Sequence, residues 1–166
     1  MAAEKRWETD AEAFREITAT LQRARNAHAA PQPAPDAKPP EAIVGELCRR
    51  VRGSPGHLLL PRLARQWRLT DEGIVCVGLV LLRWCGLPVD VSLGHVSLMA
   101  CGLSPVSVAR FRQAIRQRTG FGRLVRLCVN ETLWPSDELL RELSPDALDF
   151  RHMSDELQRL PTTEKA

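Results

Sequence analysis

The sequence predicts a mostly α-helical protein with one small β-hairpin. Three observations carry this. Apolar residues recur at three- and four-residue steps through most of the chain. The core has few rings to draw on, with four Trp, four Phe and no Tyr in 166 residues. It must therefore be built from Leu, Val, Ile and Ala, which suits packed helices. Only one stretch, Leu124 to Trp134, places two β-prone runs either side of a polar turn. A chain of this length has room for one domain with a proper core, plus tails.

Residues 1–28 form an amphipathic N-terminal segment, helical from residue 3, with Trp7, Ala11, Phe14, Ile17 and Leu21 along one side. Acids lie early and bases late, which complements the helix dipole. The apolar side has two uses. It packs onto the rest of the chain, or it docks Trp7, Phe14 and Leu21 into a partner's groove. Residues 29–40, AAPQPAPDAKPP, hold five Pro and predict an extended linker. Residues 41–160 are then a helical domain.

Within that domain, Glu41 to Arg52 predicts a short helix, ended by Gly53-Ser54-Pro55-Gly56. Leu58 to Trp67 restarts one, with Leu59, Leu63 and Trp67 four residues apart. Thr70 is suited to cap the next, with Asp71 and Glu72 in its first turn. The run GIVCVGLVLLRWC is apolar almost all round, so this helix is the expected buried centre. Gly86-Leu87-Pro88 stops it. Val89 to Ser92 alternates as a short strand does. A short apolar helix from Leu93, a turn at Gly102 and a second helix from Ser104-Pro105 to Arg118 follow. A turn at Gly120-Phe121-Gly122, the strand run Leu124 to Val129, the turn Asn130-Glu131-Thr132 and a return strand at Leu133-Trp134 come next. Pro135-Ser136-Asp137-Glu138 starts another helix, and Ser144-Pro145-Asp146 a last one through Met153.

Two helices joined by a glycine-containing turn outline a helix-turn-helix. From residue 71 the order is helix, strand, helix, helix, strand, turn, strand. That is the plan of a winged helix, here expected at about 58–145. The segment GLSPVSVARF, Gly102 to Phe111, resembles the turn and early recognition helix of bacterial helix-turn-helix regulators. Gly102, Leu103, Val108 and Phe111 match the turn glycine and the apolar positions of that family. Two positions depart from it, Leu98 where a small residue is usual and Ser97 where an apolar one is. More widely, residues 58–145 are similar to winged-helix domains at the N-terminal side of some bacterial AAA-type ATPases. This lies in the pattern LARQWRLTDEGIVCVGLVLL, then VSLGHVSLMACG, then a basic helix and a hairpin. No GxxxxGK[ST] phosphate loop is present in the chain. The resemblance implies a free-standing recognition module in a bacterial protein.

Charge supports a binding role. Residues 91–130 carry six Arg and no acid, whereas residues 131–166 carry nine acids and four bases. On a helical wheel Val108, Phe111 and Ile115 point inward. Arg110, Gln113 and Gln117 point to solvent, flanked by Arg112 and Arg116. Arg and Gln are the side chains that read guanine and adenine edges in the major groove. Arg123 and Arg126, near the hairpin, suit phosphates. The reading is a DNA-binding regulator contacting duplex DNA through these seven residues. A second reading keeps the fold and changes the ligand: an adaptor binding a protein partner, such as an ATPase or a secretion or defence assembly. Arginine is this chain's usual base (20 Arg against three Lys), and the acidic segment after residue 131 has the sign to cover the basic helix in cis.

Enzyme chemistry finds little footing. The four His are dispersed. His95 and Cys101 invite a Cys–His pair, but both fall on a helix whose apolar face suits the core. There is no GxSxG elbow. The five Cys lack CxxC spacing, so no metal site and no cofactor is expected, and buried reduced thiols are. The N-terminus MAAEKRWETD has no secretory apolar core, and Gly73 to Leu82 is too short to span a bilayer, which takes about 20 residues. These features predict a cytoplasmic protein.

Overall fold

The computed structural model describes residues 6–29, 36, 38–100 and 108–143. These form seven α-helices and a two-stranded antiparallel sheet. The helices are α1 (Asp10–Ala29), α2 (Pro40–Gly53), α3 (Leu59–Gln66), α4 (Asp71–Trp84), α5 (Leu93–Ala100), α6 (Val108–Gln117) and α7 (Asp137–Leu143). The strands are β1 (Val125–Leu127) and β2 (Leu133–Pro135), with a 3₁₀ turn, Gly120–Arg123, ahead of β1.

The centre is α4. Thr70 accepts a hydrogen bond from the Gly73 N–H at 3.3 Å, satisfying one of the helix's open donors. Every residue from Gly73 to Leu82 is buried. Helices α2, α3 and α5, the 3₁₀ turn and β2 all pack on it. Across the top of α4, Trp84 meets Trp134 edge to face, with ring centroids 5.5 Å apart.

Three helices end in the same left-handed corner. At the end of α4, Gly86 has φ 90. Its N–H reaches the Arg83 carbonyl, and the Leu87 N–H reaches Leu82. This pair of bonds closes the last turn, and the positive φ it needs is open to glycine. The same two bonds end α3, with Arg68 at φ 49, and α6, with Arg118 at φ 53.

Helix α1 starts at Asp10 rather than residue 3. Thr9 accepts from the Glu12 N–H at 3.2 Å, and this cap fixes the start. Ala11, Phe14, Ile17, Leu21 and Ala24 are buried, mainly against α2. Trp7, ahead of the helix, is 2% exposed; its indole N–H donates to Glu16 at 3.0 Å, and the Arg50 guanidinium lies 4.3 Å above the ring. Arg50 also pairs with Glu16. The first of the two uses foreseen for this helix is the one seen: Trp7, Phe14 and Leu21 fill the chain's own core and are closed to a docking groove in this conformation.

The strand expected at Val89–Ser92 is a correction. Among the described residues only one bridge forms, Ser92 to Thr132. Local bonds take the backbone first. The Val89 N–H bonds Leu87, the Asp90 carboxylate accepts from the Ser92 N–H at 2.9 Å, and Ser92 Oγ accepts from the His95 N–H in the first turn of α5. What remains still lies along β2: the Leu133 N–H bonds Val91, and the Leu93 N–H bonds Glu131. The turn at Gly102, the helix start at Ser104-Pro105 and the helix from Ser144 to Met153 fall outside the described residues.

Among the described residues no helix is long and apolar enough to cross a membrane.

Candidate nucleic-acid interface

Helix α6 is held from beneath. Phe111 and Ile115 are buried, and the Phe111 ring packs on Phe121 with centroids 4.6 Å apart. Val108 packs at the edge of the same core. That periodicity leaves Arg110, Gln113, Arg116 and Gln117 exposed on the opposite side.

The hairpin stands beside α6. Val125 pairs with Pro135, Arg126 with Trp134 and Leu127 with Leu133. Gly122 sets the spacing. A Cβ there would lie 2.1 Å from the Ala114 carbonyl oxygen, so the turn's backbone rests directly on the helix. The hairpin loop runs from Cys128 to Thr132, with Glu131 at φ 61. Val129 at its tip is fully exposed.

Electrostatics divides the seven arginines and glutamines foreseen for this face. Four arginines are held by carboxylates from other elements. Arg110 pairs with Glu72 of α4. Arg112 makes a two-point bond to Glu131 of the hairpin loop, at 2.7 and 2.9 Å. Arg123 meets Glu138 of α7 at 3.4 Å and lies 5.0 Å over the Trp67 ring. Arg118, absent from the expected set, also meets Glu138, at 3.3 Å. Arg116 and Arg126 are exposed and make no ion pair among the described residues. With Arg118 they rim an open groove of about 390 Å³ between the end of α6 and β1. The structure thus brings Arg110, Gln113, Arg116 and Gln117 onto one surface with Arg126 beside it. It turns Arg112 toward the hairpin loop and Arg123 toward α3 and α7. Arg118 was missed because it lies past the helix end, where a wheel no longer predicts direction.

Ser97 is buried with its hydroxyl donating to the Gly94 carbonyl at 3.1 Å, and Leu98 is half-buried at the edge of the core. His95 is half-buried, and burial holds its imidazole below the usual range. Its imagined partner Cys101 lies outside the described residues. Cys48 and Cys85 are buried thiols pushed up to about 12, chiefly by desolvation, and so are poor nucleophiles at neutral pH.

The chain matches no family model, no curated protein and no solved structure.

Proposed function

We propose that this chain is a non-catalytic DNA-binding regulator whose residues from α4 to β2 act as a winged helix. One observation carries the reading. Helix α6 is anchored by Phe111 and Ile115 and presents Arg110, Gln113, Arg116 and Gln117 outward, with a hairpin locked beside it. Those side-chain types suit base edges in the major groove, and a single helix fits that groove. The order α4, bridge segment, α5, α6, β1, β2 supports it, because the segment at Val91–Leu93 lies along β2 as the third strand of a wing would.

The test is a titration of labelled duplex DNA at low and at physiological salt. Binding weakens steeply with salt and weakens further in Gln113→Ala/Arg116→Ala. Absence of binding at low salt refutes the proposal.

An adaptor role is the second reading. The fully exposed Val129 at the hairpin tip and the carboxylates already seated on the arginines favour it. A pull-down that loses a partner on Val129→Asp, with duplex binding absent, would decide for it.

A further inference from the structure

We infer that the groove between the end of α6 and β1 seats one nucleoside-phosphate unit. This rests on the nucleic-acid reading above and names where a backbone unit is held. Its volume, about 390 Å³, lies in the range of small-ligand clefts, roughly 300–1,000 Å³. The floor is apolar, made by Ile115, Val125 and Leu127, and Gly122 contributes backbone without a side chain. The rim is cationic. Arg116 and Arg126 face it from two elements with no competing carboxylate of their own. Arg118 adds a third guanidinium, tied to Glu138 only by a long, exposed pair. Asp137 is the sole acid on the lining among the described residues, and Ser136 is committed elsewhere, its hydroxyl donating to the Arg123 carbonyl at 2.6 Å.

An apolar floor under a cationic rim fits a sugar carrying a phosphate. The sugar's carbon face rests on the aliphatic side chains, and guanidiniums bond the phosphate oxygens two at a time. Phosphate and sugar take half or more of the hydrogen bonds in protein–DNA interfaces, and they set register. Placed beside the exposed face of α6, this seat would fix where the helix sits along a duplex. It says nothing of base sequence.

Two sources supply the same chemistry, a polynucleotide backbone and a free mononucleotide, so the experiment has two arms. The first measures duplex binding by anisotropy over about 50–200 mM salt. The full chain, Arg116→Gln/Arg126→Gln and the control Arg83→Gln, an exposed arginine outside the groove's lining, are compared on two unrelated duplexes. The double variant is expected to lose about 0.9 of a unit of the log Kd against log salt slope, the amount for the one phosphate seated, equally on both duplexes. Arg83→Gln keeps the slope. The second arm titrates AMP and follows the methyl resonances of Ile115, Val125 and Leu127. Wild type binding duplex with an unchanged slope in the double variant overturns the groove while leaving the DNA reading standing. No duplex binding by wild type sinks the DNA reading. The groove then stands, as a mononucleotide site, only if AMP shifts those methyls in wild type and fails to in the double variant; absent shifts overturn it too.

Discussion

Replacing Gly122 with alanine should cost far more than its one methyl suggests. The added Cβ would sit 2.1 Å from the Ala114 carbonyl oxygen and 2.6 Å from its carbon. An ordinary close carbon–oxygen approach is about 3.3 Å, so the two backbones must part by about 1.2 Å. Neither partner is a side chain that can rotate away. The movement must be taken by α6 or by the turn leading into β1, both packed on the core through Phe111, Ile115 and Phe121. Overpacking of this kind costs ~1–3 kcal/mol, and rigidity on both sides places Gly122→Ala near ~3 kcal/mol. For a chain of this size that lowers Tm by about 6–12 °C. Urea unfolding followed by far-UV circular dichroism measures it, as a lower midpoint with an unchanged slope. Gly45→Ala is the matched comparison. It lies inside α2 with nothing within 4 Å of the added carbon, so it should stabilise by ~0.5–1 kcal/mol through helix propensity alone. A Gly122→Ala protein within about 0.5 kcal/mol of wild type would refute the direct backbone contact between turn and helix.

Glu131→Gln releases Arg112 from its two-point bond and should tighten duplex binding about three- to tenfold, steepening the salt slope by about one unit; an unchanged affinity shows that Arg112 takes no part. Among the described cysteines, native-state alkylation at about pH 8 should mark half-buried Cys128 first and leave Cys48 and Cys85 protected until unfolding, because burial holds both thiols protonated; early labelling of Cys48 counts against its placement. His95 sits below its ordinary 6.5, so the unfolded chain takes up its proton first as pH falls. The stability it supports is full above 6.5 and is lost as pH drops toward the lowered folded value. Urea midpoints between about pH 7 and pH 5 should fall less steeply in His95→Gln than in wild type.

Much of the helical fold is legible in the sequence. Thr70 with Asp71 and Glu72 announces α4, and its unbroken apolar run announces burial. The hairpin shows as β-prone runs around Asn130-Glu131-Thr132, matching β1 and β2 to within a residue or two. The strand at Val89–Ser92 misleads because alternation reports which side chains suit a sheet, whereas Asp90 and Ser92 bind their own backbone. The start of α1 was hidden for a similar reason: apolar spacing continues through Trp7, and only the Thr9 cap breaks it. An amphipathic face cannot reveal whether its cover lies in cis, and here α2 supplies it. The candidate site divides in the same way. The outward and inward sides of α6 follow from spacing alone. The carboxylates seated on Arg110, Arg112 and Arg118 lie 38, 19 and 20 residues away, so no local pattern points to them.

The left-handed corners that end α3 and α6 also mark where this chain could be made hardier by design. Arg68 and Arg118 each hold a conformation that costs a residue with a Cβ ~1–2 kcal/mol and glycine very little. At Arg68, an exposed site outside the groove's lining, glycine should raise stability and leave the proposed DNA binding intact. At Arg118 the same change trades a guanidinium at the groove's rim for a relaxed turn. A thermostable version of this protein would therefore be engineered at the first corner, and the proposed DNA affinity tuned at the second.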